Sequence, residues 1–461
     1  MTGCDVGLVD LLPDEVLLAI FDLYVGQGET EAWQTLGHVC RRWRNLVFGS
    51  PRGLNLQLIC TLRTPARETL DVWPPFPLVI SASWHYANYR TENVDNLFAV
   101  LEHRNRVCQI HISIISISGL EKVLSAMQET FPELKSLILQ PEEKTLSVLP
   151  DSFLGGSSPQ LRTLHFRGIP FPGLPRLLLS ATHLTDLCLE KIPHLGYFSP
   201  EEIATALSAS TSLEDLHIGF ESPLSLPDRA TRRPPPPTRL VLPALKNFMF
   251  KGVEEYLEDL VVRIDAPLLN ELRITFFNQI LFDTPRLVQF ISRTSALKTP
   301  EKARVFFWND VALIKLWASD NGELSVKILC KNLDWQVSSL EQVCTSCLPP
   351  LSALEDLRIF EDSYPRPDWQ DNIENSLWLE LLRPFIAVKN LYLSKEFAPR
   401  IVPFLREQVG ERTTEVLPTL QNIFLERLEM SGPVQEGIEE FVARRQASHH
   451  ITVSHWNRFR D

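Results

Sequence analysis

No stretch of this 461-residue chain supplies the roughly 18 uninterrupted apolar residues that a membrane-spanning helix needs. The nearest, VCQIHISIISISGL from Val107 to Leu120, is interrupted by Gln109, His111 and several serines, and it alternates like a strand. A basic n-region is also missing. The opening MTGCDVGLVDLLPDEV is acidic where a secretory signal would carry positive charge. The eight scattered cysteines are therefore expected to be reduced thiols of an intracellular protein, in the cytoplasm, the nucleus or both. Clustered positive charge is scarce too. A net charge of -12 argues against a broad nucleic-acid-binding face. Glycine (19) is outnumbered by proline (34), and many prolines flank apolar segments, which fits a chain of many short elements.

The signatures of common chemistry are absent as well. There is no G-x-G-x-x-G, no phosphate loop ending in Gly-Lys-Ser/Thr, no G-x-S-x-G and no H-E-x-x-H. Cys344 and Cys347 have C-x-x-C spacing with Cys330 upstream, but no second pair follows to complete a zinc site. His449, His450 and His455 lie in a mixed tail, and acidic pairs such as Glu142-Glu143 and Glu254-Glu255 are read as solvated faces. The expectation is a protein without cofactor, metal or catalytic centre, and not an enzyme.

What the chain does have begins at Leu11. Val16, Ile20 and Leu23 form one apolar stripe on a first helix, and Leu17, Phe21 and Tyr24 form a second beside it. Pro13 suits its first turn. The break GQGET leads to a next helix that places Trp33, Leu36, Cys40, Trp43 and Val47 at spacings of three and four, with Arg41, Arg42 and Arg44 on the remaining face. A segment of this size cannot bury two such wide faces in a core of its own. It either caps the rest of the chain or docks on a partner.

The residues Leu12-Pro13-Asp14-Glu15, the aliphatic helix to Tyr24, and Val39-Cys40-Arg41-Arg42-Trp43-Arg44 followed by Leu46-Val47 resemble an F-box, over about Leu8 to Pro51. The insert GQGETEAW is longer and richer in glycine than a minimal F-box would have. The resemblance implies docking on the Skp-type adaptor of a cullin–RING ubiquitin ligase. It also implies adaptor contacts by Leu12, Pro13, Val16, Ile20, Leu36, Val39, Cys40, Trp43 and Leu46.

The remainder is repetitive. L-x-x-L-x-L, with aliphatic or aromatic equivalents, begins at Val107, Leu134, Leu161, Leu184, Leu213, Leu245, Leu269, Leu354, Val388 and Leu420. Successive separations are 27, 27, 23, 29, 32, 24, 85, 34 and 32 residues. The gap of 85 amounts to about three units, with weaker strand candidates at ARVFFW (Ala303) and ELSVKIL (Glu323). This period resembles irregular leucine-rich repeats, whose units must stack to bury their inner faces. L-x-x-L also fits helix spacing, so a single copy could be an amphipathic helix. The asparagine usual after each strand is replaced by Glu142, Ile169, Ile192, Glu221, Val253, Phe277 and Asp362. Helix starts are read at Ser118, Ser199 and Thr284. LNLQLICTL and FPLVISAS, between residues 54 and 83, read as the array's first strands.

The whole resembles fungal-like F-box proteins with leucine-rich repeats, of α/β class: a small helical F-box (residues 8–52), then a solenoid with a parallel sheet on one face and helices on the other (54–430). A proline-rich loop (222–239) interrupts it; a ligand for a polyproline reader is the other reading of that segment. A C-terminal helix and cap (431–461) close it. Residues from about 54 onward are expected to fold without the F-box. Side chains at the third and fifth positions of each unit, and that of the residue just after it, face outward. His165, Arg167, Met249, Arg273, Arg358, Phe360, Tyr392 and Phe424 are the substrate-binding candidates, unless a long loop or the terminal segment covers that face. The expected role is substrate-recognition subunit of such a ligase, bound to the adaptor, through it to the cullin, and to an unknown substrate protein. A repeat scaffold that binds the adaptor outside any ligase is the alternative. No nucleic-acid or membrane partner is expected.

Overall fold

The computed structural model describes residues 12–27, 32–49, 54, 56–63, 65–82, 94–113, 116–141, 148–225, 238–278, 281–318, 322–361, 374–407, 416–426, 432–445 and 450–456. Part of the F-box motif (8–11, 28–31 and 50–52), most of the proline-rich segment (226–237), Glu142, Asp362 and His449 lie outside them. The chain divides into two compact units, Met1–Asp186 and Leu187–Asp461.

The first unit opens with three helices, α1 (Asp14–Gln27), α2 (Ala32–Val39) and α3 (Arg41–Gly49). Asp14 and Glu15 sit in the first turn of α1, where the helix dipole favours negative charge. Pro13 precedes the helix, and its carbonyl accepts from the amides of Val16 and Leu17. The single helix expected from Trp33 to Val47 is in fact two. The chain breaks at Cys40, whose thiol accepts from the Trp43 amide at 3.4 Å and satisfies one of the unpaired N–H groups that open α3. Arg42 ties α3 to the start of α1, pairing with Asp14 at 2.6 Å and donating to the Leu12 carbonyl.

Trp33 is fully buried. Its ring lies 5.0 Å from Phe76, 5.3 Å from Trp73 and 6.4 Å from Phe48. Its indole N–H donates to the Gln57 carbonyl at 3.2 Å. The F-box helices thus share an aromatic core with residues beyond position 54.

Five parallel strands follow in chain order: β1 (Leu58–Thr61), β2 (Leu78–Ala82), β3 (Val107–Ile112), β4 (Ser136–Leu139) and β5 (Thr163–Arg167). Parallel pairing needs a crossover between neighbours. Helical turns at Ala66–Val72, Val94–Leu101, Ile117–Ala126 and Phe153–Gly156 supply it. Apolar positions pair across the strands: Ile110 stands opposite Leu137, and Leu137 opposite Leu164. The helix read as starting at Ser118 is capped by Ser116, whose side chain accepts from the Gly119 amide.

The second unit contains β6 (Asp186–Ile192), β7 (Asp215–Phe220), β8 (Leu240–Val241), β9 (Asn247–Gly252), β10 (Ile264–Asp265), β11 (Glu271–Phe277), β12 (Pro300–Trp308), β13 (Val311–Ala318), β14 (Glu323–Leu329), β15 (Asp356–Glu361), β16 (Asn390–Leu393), β17 (Asn422–Glu426) and β18 (Thr452–Trp456). β8 and β10 form a small parallel pair apart. The others run β6-β7-β9-β11-β14-β13-β12-β15-β16-β17-β18. Among the described residues the strands of the two units, the small pair aside, number sixteen and are mostly parallel, so the expected α/β architecture of a helical start followed by a repeating parallel sheet with helices is present.

The 85-residue gap holds something other than three repeats. β12 and β13 form a hairpin around the two-residue turn Asn309-Asp310, and β13 pairs antiparallel with β14. β14 then lies parallel to β11, and β12 parallel to β15. The chain therefore skips two strand positions after β11 and fills them in reverse. Gly322, entering β14, has no room for a side chain: a Cβ there would stand 1.8 Å from the Ala296 carbonyl oxygen.

Helix starts in this unit differ in chemistry. Ser199 forms a complete capping box with Glu202. Thr284 caps nothing with its side chain; its hydroxyl donates to the Ser346 carbonyl at 2.9 Å. The following helix (Pro285–Arg293) is served instead by Glu258, which accepts from the amides of Arg286 at 3.1 Å and Leu287 at 2.7 Å.

Candidate docking surfaces

On α1 the two apolar stripes separate. Leu17 and Phe21 are buried, with the Phe21 ring 4.7 Å from that of Trp43. Val16, Ile20, Leu23 and Tyr24 remain exposed, as does Val39 at the end of α2. Among the nine residues assigned to adaptor binding, Pro13, Val16, Ile20 and Val39 are exposed, and Leu12, Cys40, Trp43 and Leu46 are half-buried. Leu36 is buried and belongs to the core, because α2 turns that face inward beside Trp33. Trp43 supports α1 from beneath. Leu23 and Tyr24 are the exposed residues that the motif did not single out; helical spacing alone placed Leu23 with Val16 and Ile20.

The outward face of the strands alternates as the repeat requires. The four-residue β4 reads half-buried, buried, half-buried, buried, and β9 continues the same way over six residues. The first outward positions of β7 and β9, and of β15 to β18, form side-chain ladders. Asn247 donates to Asp215 at 2.6 Å, Asn390 to Asp356 at 2.6 Å and Asn422 to Asn390 at 2.7 Å, and Thr452 donates to Asn422. The polar tie between neighbouring turns, missing after the strands, stands at their beginning.

The eight candidate substrate contacts do not form one group. His165 and Arg167 lie on β5 of the first unit, where His165 Nε2 is 2.7 Å from Asp186, the last residue of that unit. The other six belong to the second unit. Met249 and Arg273 stand opposite each other on β9 and β11, and Arg273 pairs with Glu271. Arg358, Tyr392 and Phe424 are opposite one another on β15, β16 and β17.

These last three form a stacked block. The Tyr392 and Phe424 rings are stacked, nearly parallel, with centroids 4.4 Å apart, and the Arg358 guanidinium lies 4.6 Å above the Tyr392 ring. Such stacking fixes a planar cation over a π-face. Phe360, expected to face outward, is buried: Phe306 stacks on it at 5.1 Å and Trp456 packs against it at 5.7 Å. Trp456, from the last strand, also touches Tyr392 at 5.3 Å and lies 5.6 Å from the Arg358 guanidinium. The terminal segment thus covers part of this face and leaves Arg358, Tyr392 and Phe424 half-buried.

Sequence reasoning missed the contribution of the reversed strands. Phe306 and Trp308 stack at 5.4 Å on the same side as Phe360, and Arg304 sits 5.0 Å over Trp317. Alternation within ARVFFW was the available signal.

Cys344 and Cys347 are buried at the end of the helix Leu333–Ser346. Burial pushes the Cys347 and Cys330 thiols up to about 12 and Cys344 higher still. Burial thus favours the protonated thiol at all three, the less nucleophilic form. Among the described residues no helix is long and apolar enough to cross a membrane.

Residues 9–50 match the F-box-like family. No curated protein matches the chain. The protein therefore carries an F-box-like domain, and a domain of this kind supports binding to a Skp-type adaptor.

Proposed function

We propose that this chain is the substrate-recognition subunit of a ubiquitin ligase built on a Skp-type adaptor and a cullin. The F-box (residues 8–52) docks on the adaptor, and an irregular leucine-rich-repeat array (54–430), closed by the terminal helix and strand (431–461), holds the substrate. The observation that carries this reading is the exposed row Val16, Ile20, Leu23 and Tyr24, in a segment of F-box-like sequence whose opposite face is already buried. Exposed apolar rows of this kind mark protein-interaction sites. Arg358, Tyr392 and Phe424 are of the residue types enriched in interface cores, and they support the second unit's strand face as the place of capture.

The chain would act without making a bond itself, by raising the concentration of substrate beside a ubiquitin-loaded enzyme. Tagged full-length protein should co-purify with both the adaptor and the cullin, and the Ile20→Ala/Leu23→Ala double variant should recover less of both. Adaptor without cullin would favour a scaffold outside any ligase. Absence of both would refute the proposal.

A further inference from the structure

On the outward face of the second unit, three side chains converge that belong to no linear motif. Cys188 and Glu190 lie two residues apart on β6, so both leave the same side of the strand. His217 comes from β7, the neighbouring strand. His217 Nδ1 is 3.4 Å from Cys188 Sγ and 3.8 Å from a Glu190 carboxylate oxygen, and the three ligand atoms lie within 4.8 Å of one another. Around a tetrahedral zinc ion, with bonds of about 2.3 Å to sulfur and about 2.0 Å to nitrogen or oxygen, the ligand atoms stand roughly 3.3–3.6 Å apart. The observed separations are within a small side-chain adjustment of that arrangement.

We propose that Cys188, Glu190 and His217 bind a divalent transition-metal ion, with zinc the best-matched. One thiolate, one imidazole and one carboxylate form a donor set suited to zinc and unsuited to magnesium or calcium, which take oxygen ligands. The thiolate and the carboxylate together balance the charge of a dication. All three residues are half-buried, so an ion reaches them from solvent and a water completes the fourth position. Gly219 follows His217 by two residues, and a Cβ there would come within 3.3 Å of His217 Nε2 and 3.6 Å of the Lys251 side chain, so a side chain at this position would crowd the imidazole. Lys251 is a competing cation for Glu190: burial lowers its pKa, as do Lys191 and Lys327, while the Glu190 and Glu221 carboxylates act against that shift.

The test uses the full chain, stripped with a chelator and titrated with cobalt(II), whose bond to a thiolate gives a charge-transfer absorption in the near ultraviolet. The expected result is saturation at one ion per chain and displacement by zinc. Cys188→Ser should abolish the charge-transfer band. His217→Ala and Glu190→Gln should each weaken binding by about tenfold or more, since even outer-shell changes cost ~10–100-fold. Lys251→Met, which removes the competitor, should tighten it. If Cys188→Ser does not fold, the other three variants decide. Failure of cobalt to bind, or a titration unchanged by the ligand substitutions, overturns the proposal.

Discussion

Replacing Ile20 and Leu23 together with alanine should cut adaptor affinity while leaving the protein as stable as before. Full burial of a branched aliphatic side chain is worth about 1.5–3 kcal/mol. Leu23 is 65% exposed and Ile20 45% exposed in the free chain. Covering what remains would contribute about 1–2 kcal/mol at Leu23 and about 0.7–1.4 kcal/mol at Ile20. Alanine retains the first carbon of each side chain, so the double variant forfeits about 1–2 kcal/mol of this, or roughly five- to thirtyfold in Kd. Titration calorimetry against a purified Skp-type adaptor reads the affinity, and a thermal melt reads the fold. Leu17→Ala is the contrasting control. Leu17, on the neighbouring stripe of α1, is buried, and its truncation should cost stability of about 2–5 kcal/mol. A folded double variant whose Kd stays within about twofold of the parent would refute the assignment of this stripe to the adaptor.

Four further outcomes follow from particular contacts. Trp33→Ala should destabilise the first unit by about 3–5 kcal/mol, because the ring is fully buried among Phe48, Trp73 and Phe76; urea unfolding would show it. A fragment starting at residue 54, which loses both Trp33 and Phe48, should likewise melt below the full chain. Gly322→Ala should lower the melting temperature by several degrees, since its Cβ would collide with the Ala296 backbone; an unchanged melt would show that the β13–β14 connection relaxes freely. Arg358→Ala combined with Tyr392→Ala should keep adaptor affinity and lose the substrates seen by proximity labelling. Phe360 is left intact in that variant because it is buried, and its loss would open a cavity.

Much of the architecture could be read from the chain alone, for a physical reason. The repeat L-x-x-L-x-L records which side chains leave a strand on the buried side, and that alternation is local. Strands at Val107, Leu134, Leu161, Leu184, Leu213, Leu245, Leu269, Leu354, Val388 and Leu420 all carry it, and each has a counterpart in the sheets. The F-box-like helices were legible in the same way, because Leu-Pro, the aliphatic turn and Val-Cys-Arg-x-Trp follow one another within a short segment.

Tertiary structure decided what depends on partners far apart in the chain. Helical periodicity gave α1 two apolar stripes and could not say which the protein would bury; Trp43 packing on Phe21 settles it. The reversed run β12-β13-β14 arises from pairing choices among whole strands, and every one of its strands is apolar enough to have served as a repeat. Trp456 reaches Phe360 and Tyr392 across strand positions separated by long stretches of chain. The Cys188, Glu190 and His217 cluster exists only because parallel pairing sets β6 beside β7, across a crossover that linear spacing does not measure. Alternation is a property of neighbours along the backbone, whereas exposure and convergence are set by which strands and helices find each other when the sheet forms.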